Sequence, residues 1–449
     1  MLLVPFAAAA DIDSGTGTTG GMLTPDDDWC GTIAAAAPGA RIDLGPGDFA
    51  GPCWISNSVS VMGHDSHIVY DGASSNVIDI AADDVELGYL SFGPTQADID
   101  AIKIRSGSRI SVFGCDFVGV GGISVSANSA DTAEVQLVGN TFSDLAATGV
   151  YLGCHDGTCA STDFFIANNR FDGVTSSSVG YAIETKLNSW GEIGGNDIRD
   201  AQGPGITVYG SENGDRTTVE NNIVVGSREA ATLEIGGGPS LVRNNVVIGG
   251  ASGGLYVYDY GDRGLLDDVE VLGNTLWGVG GPAITWETGS RLVFKDNAAG
   301  RDDGTTAFQE ETQGATVSAN RDCGDGTTCW QDVASLDLWP APEGPLAYAG
   351  EADDDLPWDF CGVQRGDRTT IGALEPGTPL VGSFGAWAEE RCPGIPDTGA
   401  GDSDPDTAFD VKDPAPDGCG CSTGGGGTGL GVLLAALIRR RPTAGRRGP

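Results

Sequence analysis

The chain keeps returning to one short phrase: a small or polar residue, an asparagine, then an apolar residue two positions on. It appears as VGNTF (Asn140), ANNRF (Asn169), GGNDI (Asn196), ENNIV (Asn222), RNNVV (Asn245), LGNTL (Asn274) and KDNAA (Asn297). Upstream, LGYLSF and FGCDF align on the same frame with Leu90 and Cys115 in the asparagine position. Successive positions are 25, 25, 29, 27, 26, 23, 29 and 23 residues apart. Each interval also holds an upstream strand-like segment, a Gly-rich loop and a second strand.

A spacing of about 25 residues with three short strands per period is the signature of an all-β, right-handed parallel β-helix, a solenoid. One coil alone cannot bury its inner face, but coils stacked about 4.8 Å apart share a continuous core. The asparagine is expected at a bend, in left-handed backbone geometry, with its amide bonded to the asparagine of the next coil. Cys115 then sits in the ladder as a buried free thiol packing as a small hydrophobe. The 72 glycines and only four lysines suit short strands joined by turns, and they argue against a helical protein.

Eight of the other ten cysteines fall into pairs that suit an oxidising compartment: Cys154 with Cys159, Cys323 with Cys329, Cys30 with Cys53, and Cys361 with Cys392. The expected order is an export segment over 1–10, an N-terminal cap and first strands over 11–72, and coils over 73–300. C-terminal coils and a cap follow over 301–392, then a disordered acidic linker over 393–418 and an anchor segment over 419–449. The cap segment WCGTIAAAAPGARIDLGPGDF reads as a short helix, a strand and a turn covering the first coil. CGVQRGDRTTIGALEPG, from Cys361, resembles the closing motif of many secreted β-helix proteins. With the asparagine coils, it makes residues ~25–392 similar to the pectate-lyase-like superfamily of β-helix repeat proteins. That fold does not by itself fix an activity.

MLLVPFAAAADIDSG runs from apolar to small to polar, as an export signal cleaved near Ala9 or Ala10 would, although it lacks a basic start. At the other end come Cys419-Gly-Cys421, a short apolar run over Leu430–Ile438 and an arginine cluster over Arg439–Arg441. This order resembles the MYXO-CTERM sorting signal of myxobacteria. The resemblance implies a sorting protease acting near Cys419 or Cys421, membrane anchoring, and retention at the outer cell surface. The apolar run is shorter than the roughly 20 residues a spanning helix needs.

Side chains alternate along a strand. With Ile102, Ile104, Val150, Leu152, Ile183, Ile206, Val208, Leu233, Ile235, Leu255, Val257 and Ile284 inward, their neighbours face solvent on one sheet. Coil by coil these are Lys103 and Arg105; Tyr151, with His155 and Asp156 in the Cys154–Cys159 loop; Glu184 and Lys186; Tyr209; Glu234; and Tyr256 and Tyr258 with Asp259. Tyrosine rings in a row offer sugar-stacking faces with polar tips. In related β-helix enzymes this sheet carries the polysaccharide groove, so the resemblance implies binding of an extracellular polysaccharide there.

Elimination across a uronic-acid unit, or its C5 epimerisation, needs three things: a base, an acid, and neutralisation of the sugar carboxylate. Lys186 is the base candidate, with Glu184 beside it raising its pKa against that role. Tyr209 or Tyr258 would be the acid. Lys103 or Arg105 would neutralise the carboxylate, although three coils, about 14 Å, separate them from Lys186. Two other classes stay open. A glycoside hydrolase would use Glu184 and Glu234, about 10 Å apart by coil stacking, at the edge of the required separation. A non-enzymatic surface adhesin or structural protein would need no chemistry at all.

A net charge of −39 argues against nucleic acid or an anionic membrane as partner, because either would be repelled. No metal site is assigned. The His64-Asp-Ser-His67 segment lies in strand-like sequence where its spacing does not converge two rings. Acid clusters such as Ala352–Asp355 could take Ca²⁺ but lack the spacing of a calcium loop. No other cofactor is expected, and the chain is expected to be a monomer.

Overall fold

The computed structural model describes residues 21–376 except 73–74, 177–179, 213–214, 302, 304–306 and 309–313, together with Phe384 and Cys392. The expected export segment, acidic linker and sorting tail lie outside the described residues. The chain winds as a parallel β-solenoid whose strands pair one full turn apart. Parallel pairing between turns runs from Ala40 to Asp322 and includes the first strands before residue 72. A seven-residue helix, Trp29–Ala35, does cap the first turn, with Asp28 accepting from Gly31 N–H at its start.

One turn shows the pattern. Ile183–Thr185 lies on a first sheet, Trp190–Gly194 on a second, and Asp197–Ala201 on a third, after which the loop returns to Ile206–Val208 on the first. Each strand pairs in parallel with its counterpart in the next turn, as Ile183 with Ile206, Ile193 with Val219 and Ile198 with Val224. Inward residues fill the interior. On the third sheet the apolar position two residues after the ladder stacks Phe92, Phe117, Phe142 and Phe171 with centroids 5.0, 4.7 and 4.4 Å apart and nearly parallel planes.

Between the second and third strands the asparagines form an unbroken ladder. From Asn140 through Asn169, Asn196, Asn222, Asn245 and Asn274 to Asn297, each Nδ2 donates to Oδ1 of the next at 2.9–3.0 Å. The series goes one step beyond the expected last member, to Asn320. Left-handed geometry falls not on the ladder residue, as expected, but on the residue before it: Gly139, Asn168, Gly195, Asn221, Asn244, Gly273 and Asp296 all have positive φ. That residue turns the chain, which frees the ladder side chain to point along the solenoid axis. Asn222 also donates to Ile193 O, and its Oδ1 accepts both N–H and Nδ2 of Asn196. Counting its bond to Asn245 Oδ1, Asn222→Ala removes four buried hydrogen bonds and is expected to cost about 2–3 kcal/mol, measured as a lowered midpoint of chemical denaturation.

Cys115 holds the ladder position as a buried free thiol, accepting from Leu90 N–H, and burial pushes its pKa up to about 12. Disulfides join Cys30 to Cys53, Cys154 to Cys159, Cys323 to Cys329 and Cys361 to Cys392. After the last coil the chain doubles back along the solenoid. There Arg365, buried, bonds Glu375, Thr370 O, Gly372 O and Asn244 Oδ1, while Asp353 and Asp355 of the acid cluster Ala352–Asp355 reach Lys295 and Arg216.

Candidate functional site

Register on the first sheet sets one outward column. It runs Trp54, Asp79, Lys103, Ser126, Tyr151, Glu184, Thr207, Glu234, Tyr256, Thr285, each the pairing partner of the next. Beside it stand Gly153, Lys186, Tyr209, Gly236, Tyr258 and Glu287, joined by the same ladder of backbone bonds. Parallel in-register stacking makes these residues vertical neighbours although 22 to 33 positions separate them in sequence.

The column does not face solvent throughout. Glu184, Lys186 and Tyr209 are only 3%, 4% and 4% exposed, contrary to the strand alternation. Two irregular segments cover them. The disulfide loop brings His155 over the first, with Nδ1 3.4 Å from Lys186 Nζ. A single turn, Tyr260–Asp262, lays the Tyr260 ring on Tyr209 at 3.9 Å between centroids. Gly236 leaves the room this requires, because a Cβ there would stand 2.9 Å from Tyr260 Cβ and 3.3 Å from Tyr209 Cδ1. Gly236→Ala is expected to cost about 1–3 kcal/mol and to open the cover, seen as faster quenching of tyrosine fluorescence by iodide.

Beneath the cover Lys186 bonds Glu184 Oε1, and its ammonium lies 4.8 Å from the Tyr151 centroid and 4.3 Å from that of Tyr209. Tyr209 donates to Glu184 Oε1 at 3.2 Å and shares a hydrogen bond with Tyr181. Burial raises the pKa of Glu184, an effect that Lys186 opposes. One step along, burial pushes Glu234 up to about 7; the Glu184 carboxylate adds to this, and a hydrogen bond from Tyr258 works against it. Burial likewise raises Tyr209, Tyr151 and Tyr258, and it takes Tyr181 to about 12. Tyr256 stacks on Tyr258 at 4.8 Å. Thr207 is buried between the two glutamate rungs, and its Oγ1 has no partner among the described residues.

The expected trio of Lys186, Tyr209 and Glu184 is thus in mutual contact, with Tyr151, Glu234, Tyr256, Tyr258 and His155 around it. Four other expected residues behave differently. Lys103 is taken up by Asn128 and Asp100, and Arg105 by Asp79 at 2.6 Å, so neither is free to neutralise a sugar carboxylate at Lys186. Asp259 turns inward, accepting from Gly264 and Leu265 N–H, and serves its own loop. Asp156 is exposed and bonds Thr158 within the disulfide loop.

Sequence reasoning missed Tyr181 and Tyr260. For Tyr260 a signal was there: Tyr256, Tyr258 and Tyr260 continue one alternation, three residues past the strand end at Val257. Arg263, exposed and 5.8 Å from the Tyr260 centroid, adds a cation at the ring whose edge-on neighbour is His155, 6.4 Å between centroids. With a carboxylate titrating near neutrality next to tyrosine hydroxyls, the patch can move protons, and its half-buried rings can stack on an apolar sugar face. The described residues contain no cluster of three or more His, Cys, Asp or Glu placed to hold a metal ion.

Comparison with known proteins agrees with the winding. A family model described as "Right handed beta helix region" matches residues 100–274 and 181–331, together more than half of the chain. No curated protein matches in sequence. Among solved structures the chain is similar to pectate lyase Pel9A, at 13% identity over 79% of this chain and 95% of that one, TM-score 0.45. It is also similar to the PL6 polysaccharide lyase Pedsa3628 from Pseudopedobacter saltans, at 13% over 68% and 93%, TM-score 0.43. A third is the A-module of mannuronan C-5 epimerase AlgE6 from Azotobacter vinelandii, at 11% over 65% and 93%, TM-score 0.40. At such identities no residue role carries across.

Proposed function

The chain belongs to the right-handed β-helix family, and from that winding we propose that it is an exported, surface-held protein that binds an extracellular polysaccharide along its first sheet and acts on it by proton transfer at Glu234. The observation that carries this is the concentration of one side chain. Of nine tyrosines in the chain, six (Tyr151, Tyr181, Tyr209, Tyr256, Tyr258 and Tyr260) surround Lys186, Glu184 and Glu234. A sheet built only for stability gains from aromatic pairs anywhere and has no reason to gather them at one carboxylate–lysine centre.

The finer reading is elimination or C5 epimerisation at a uronic-acid unit. Glu234, titrating near 7, replaces Lys186 as the base, because Lys186 is bonded to Glu184. Tyr258, hydrogen-bonded to Glu234, stands ready as the acid. His155 and Arg263 at the rim replace Lys103 and Arg105 in meeting the sugar carboxylate. The second reading is a non-enzymatic adhesin. It is favoured by the burial and mutual satisfaction of Glu184, Lys186 and Tyr209, which suits a rigid platform as well as a reactive centre.

Incubating the full chain with alginate, polygalacturonate and chondroitin separates the two. Release of unsaturated-uronide absorbance, or solvent deuterium entering at C5, supports the enzymatic reading. Retention on one polysaccharide without either signal supports the adhesin, and retention on none overturns both.

A further inference from the structure

We infer that Trp54 forms a second sugar-binding subsite at the far end of the same track, and that the ligand is a linear polysaccharide long enough to reach it from the tyrosine patch. This rests on the first sheet being the track, and it adds a ligand length and a residue that the sequence did not single out. Trp54 occupies the first rung of the first sheet and is 53% exposed, whereas Trp29, Trp277, Trp286, Trp330 and Trp339 are buried. Scattered exposed apolar residues are common; what distinguishes this one is its place and its surroundings.

The place is in register. Four rungs, about 19 Å, lead from Trp54 through Asp79, Lys103 and Ser126 to Tyr151. Four more, again about 19 Å, lead from Tyr151 to Tyr256. Aromatic rings therefore stand at the first, fifth and ninth rungs of one column.

The surroundings are polar and fixed. On the next rung the Asp79 carboxylate, 5% exposed, accepts from Arg105 Nε at 2.6 Å and from Asn76 Nδ2 at 2.9 Å. Arg105 keeps about a third of its side chain exposed (36%) with its orientation set by Asp79. Asp100 accepts from Ser126 Oγ at 3.0 Å and lies 3.8 Å from Lys103. An exposed indole face one rung from the carboxylate that holds a guanidinium is suited to stack on one sugar ring while the guanidinium donates to hydroxyls farther along the chain. Because Arg105 and Lys103 are each matched by a carboxylate, this subsite reads hydroxyls rather than a sugar's negative charge. A pocket for one monosaccharide has no use for an aromatic platform four rungs away. A polymer laid along the solenoid does.

The test measures affinity of the full-length chain for size-graded oligosaccharides of alginate, polygalacturonate, chondroitin and a neutral β-glucan. In the wild-type chain affinity should climb steeply once the oligosaccharide spans from Tyr151 to Trp54. Trp54→Ala should lose about fivefold to tenfold of that increment for long chains, and Trp54→Phe should restore part of it. Long oligosaccharides should also shield Trp54 from iodide quenching, and short ones should not. Equal affinities of Trp54→Ala and wild type at every length would overturn the distal subsite and leave the tyrosine patch standing. A wild-type chain that binds no member of the panel would overturn the subsite and the track together.

Discussion

Lys186→Met is expected to destabilise the solenoid by about 3–5 kcal/mol near neutral pH, the largest loss from any single side chain in the patch. Lys186 and Glu184 are both essentially out of solvent, and removing the cation leaves a buried carboxylate with only the Tyr209 hydroxyl as a donor. Burial already raises Glu184 in the presence of Lys186; without it the carboxyl rises further. A carboxyl whose folded pKa lies above its unfolded value favours the folded state while protonated, and that stability is lost as pH rises through the folded pKa. The deficit of Lys186→Met should therefore be small at acid pH and full at alkaline pH. Adding Glu184→Gln removes the stranded charge and should recover most of the loss, since a neutral pair replaces an ion pair at little net cost. Thermal melts of the two variants across pH check this. A deficit independent of pH, with no recovery in the double variant, would mean the pair is not coupled in the folded chain.

Glu234→Gln is expected to have the largest effect on activity, a loss of about 10²–10⁴-fold in turnover with binding of long polysaccharide retained. In the wild type the rate should rise with pH through about 7, as the carboxyl that burial raises becomes the free base, and the variant should lose that limb. Stability should move the other way. Glu234 is raised from 4.5 to about 7, so the folded chain holds a proton that the unfolded chain has released between those values. Stability contributed by this group then declines over that window and is flat above it. Glutamine abolishes the decline, so Glu234→Gln should match the wild type below the window and melt higher above it. Paired pH–rate and pH–melting profiles read both effects. A variant with full turnover would move the chemistry away from Glu234, and the patch would then be read as a platform.

Export and surface retention are open to a separate check. Intact-mass measurement of the protein taken from its native cell surface should show a start near residue 11 and an end near Cys419.

Much was written in the sequence, and for a simple reason. In a parallel stack each coil is a translated copy of the last, so a period along the chain is a direction in space. The spacing from Asn140 to Asn297 therefore gave the ladder, and alternation around Ile183, Ile206 and Leu233 gave the inner face. Together they place Glu184, Thr207 and Glu234 in one line. Residues outside the period escaped. Left-handed geometry at Gly195 rather than Asn196 depends on which residue must turn for the ladder amide to point along the axis. The pairing of Arg105 with Asp79 crosses a rung on the same sheet, where position is legible but the chosen partner is not.

What the tertiary structure alone decided is the cover. The Cys154–Cys159 loop and the turn at Tyr260 belong to no repeat, and their conformations follow from what they pack against. Their landing on Lys186 and Tyr209 converts an exposed row into a buried ionic centre. Burial, not identity, is what lifts Glu234 to neutrality, because the cost of charge depends on the water excluded around it, and it is the contact with Glu184 that takes Lys186 out of the base's role.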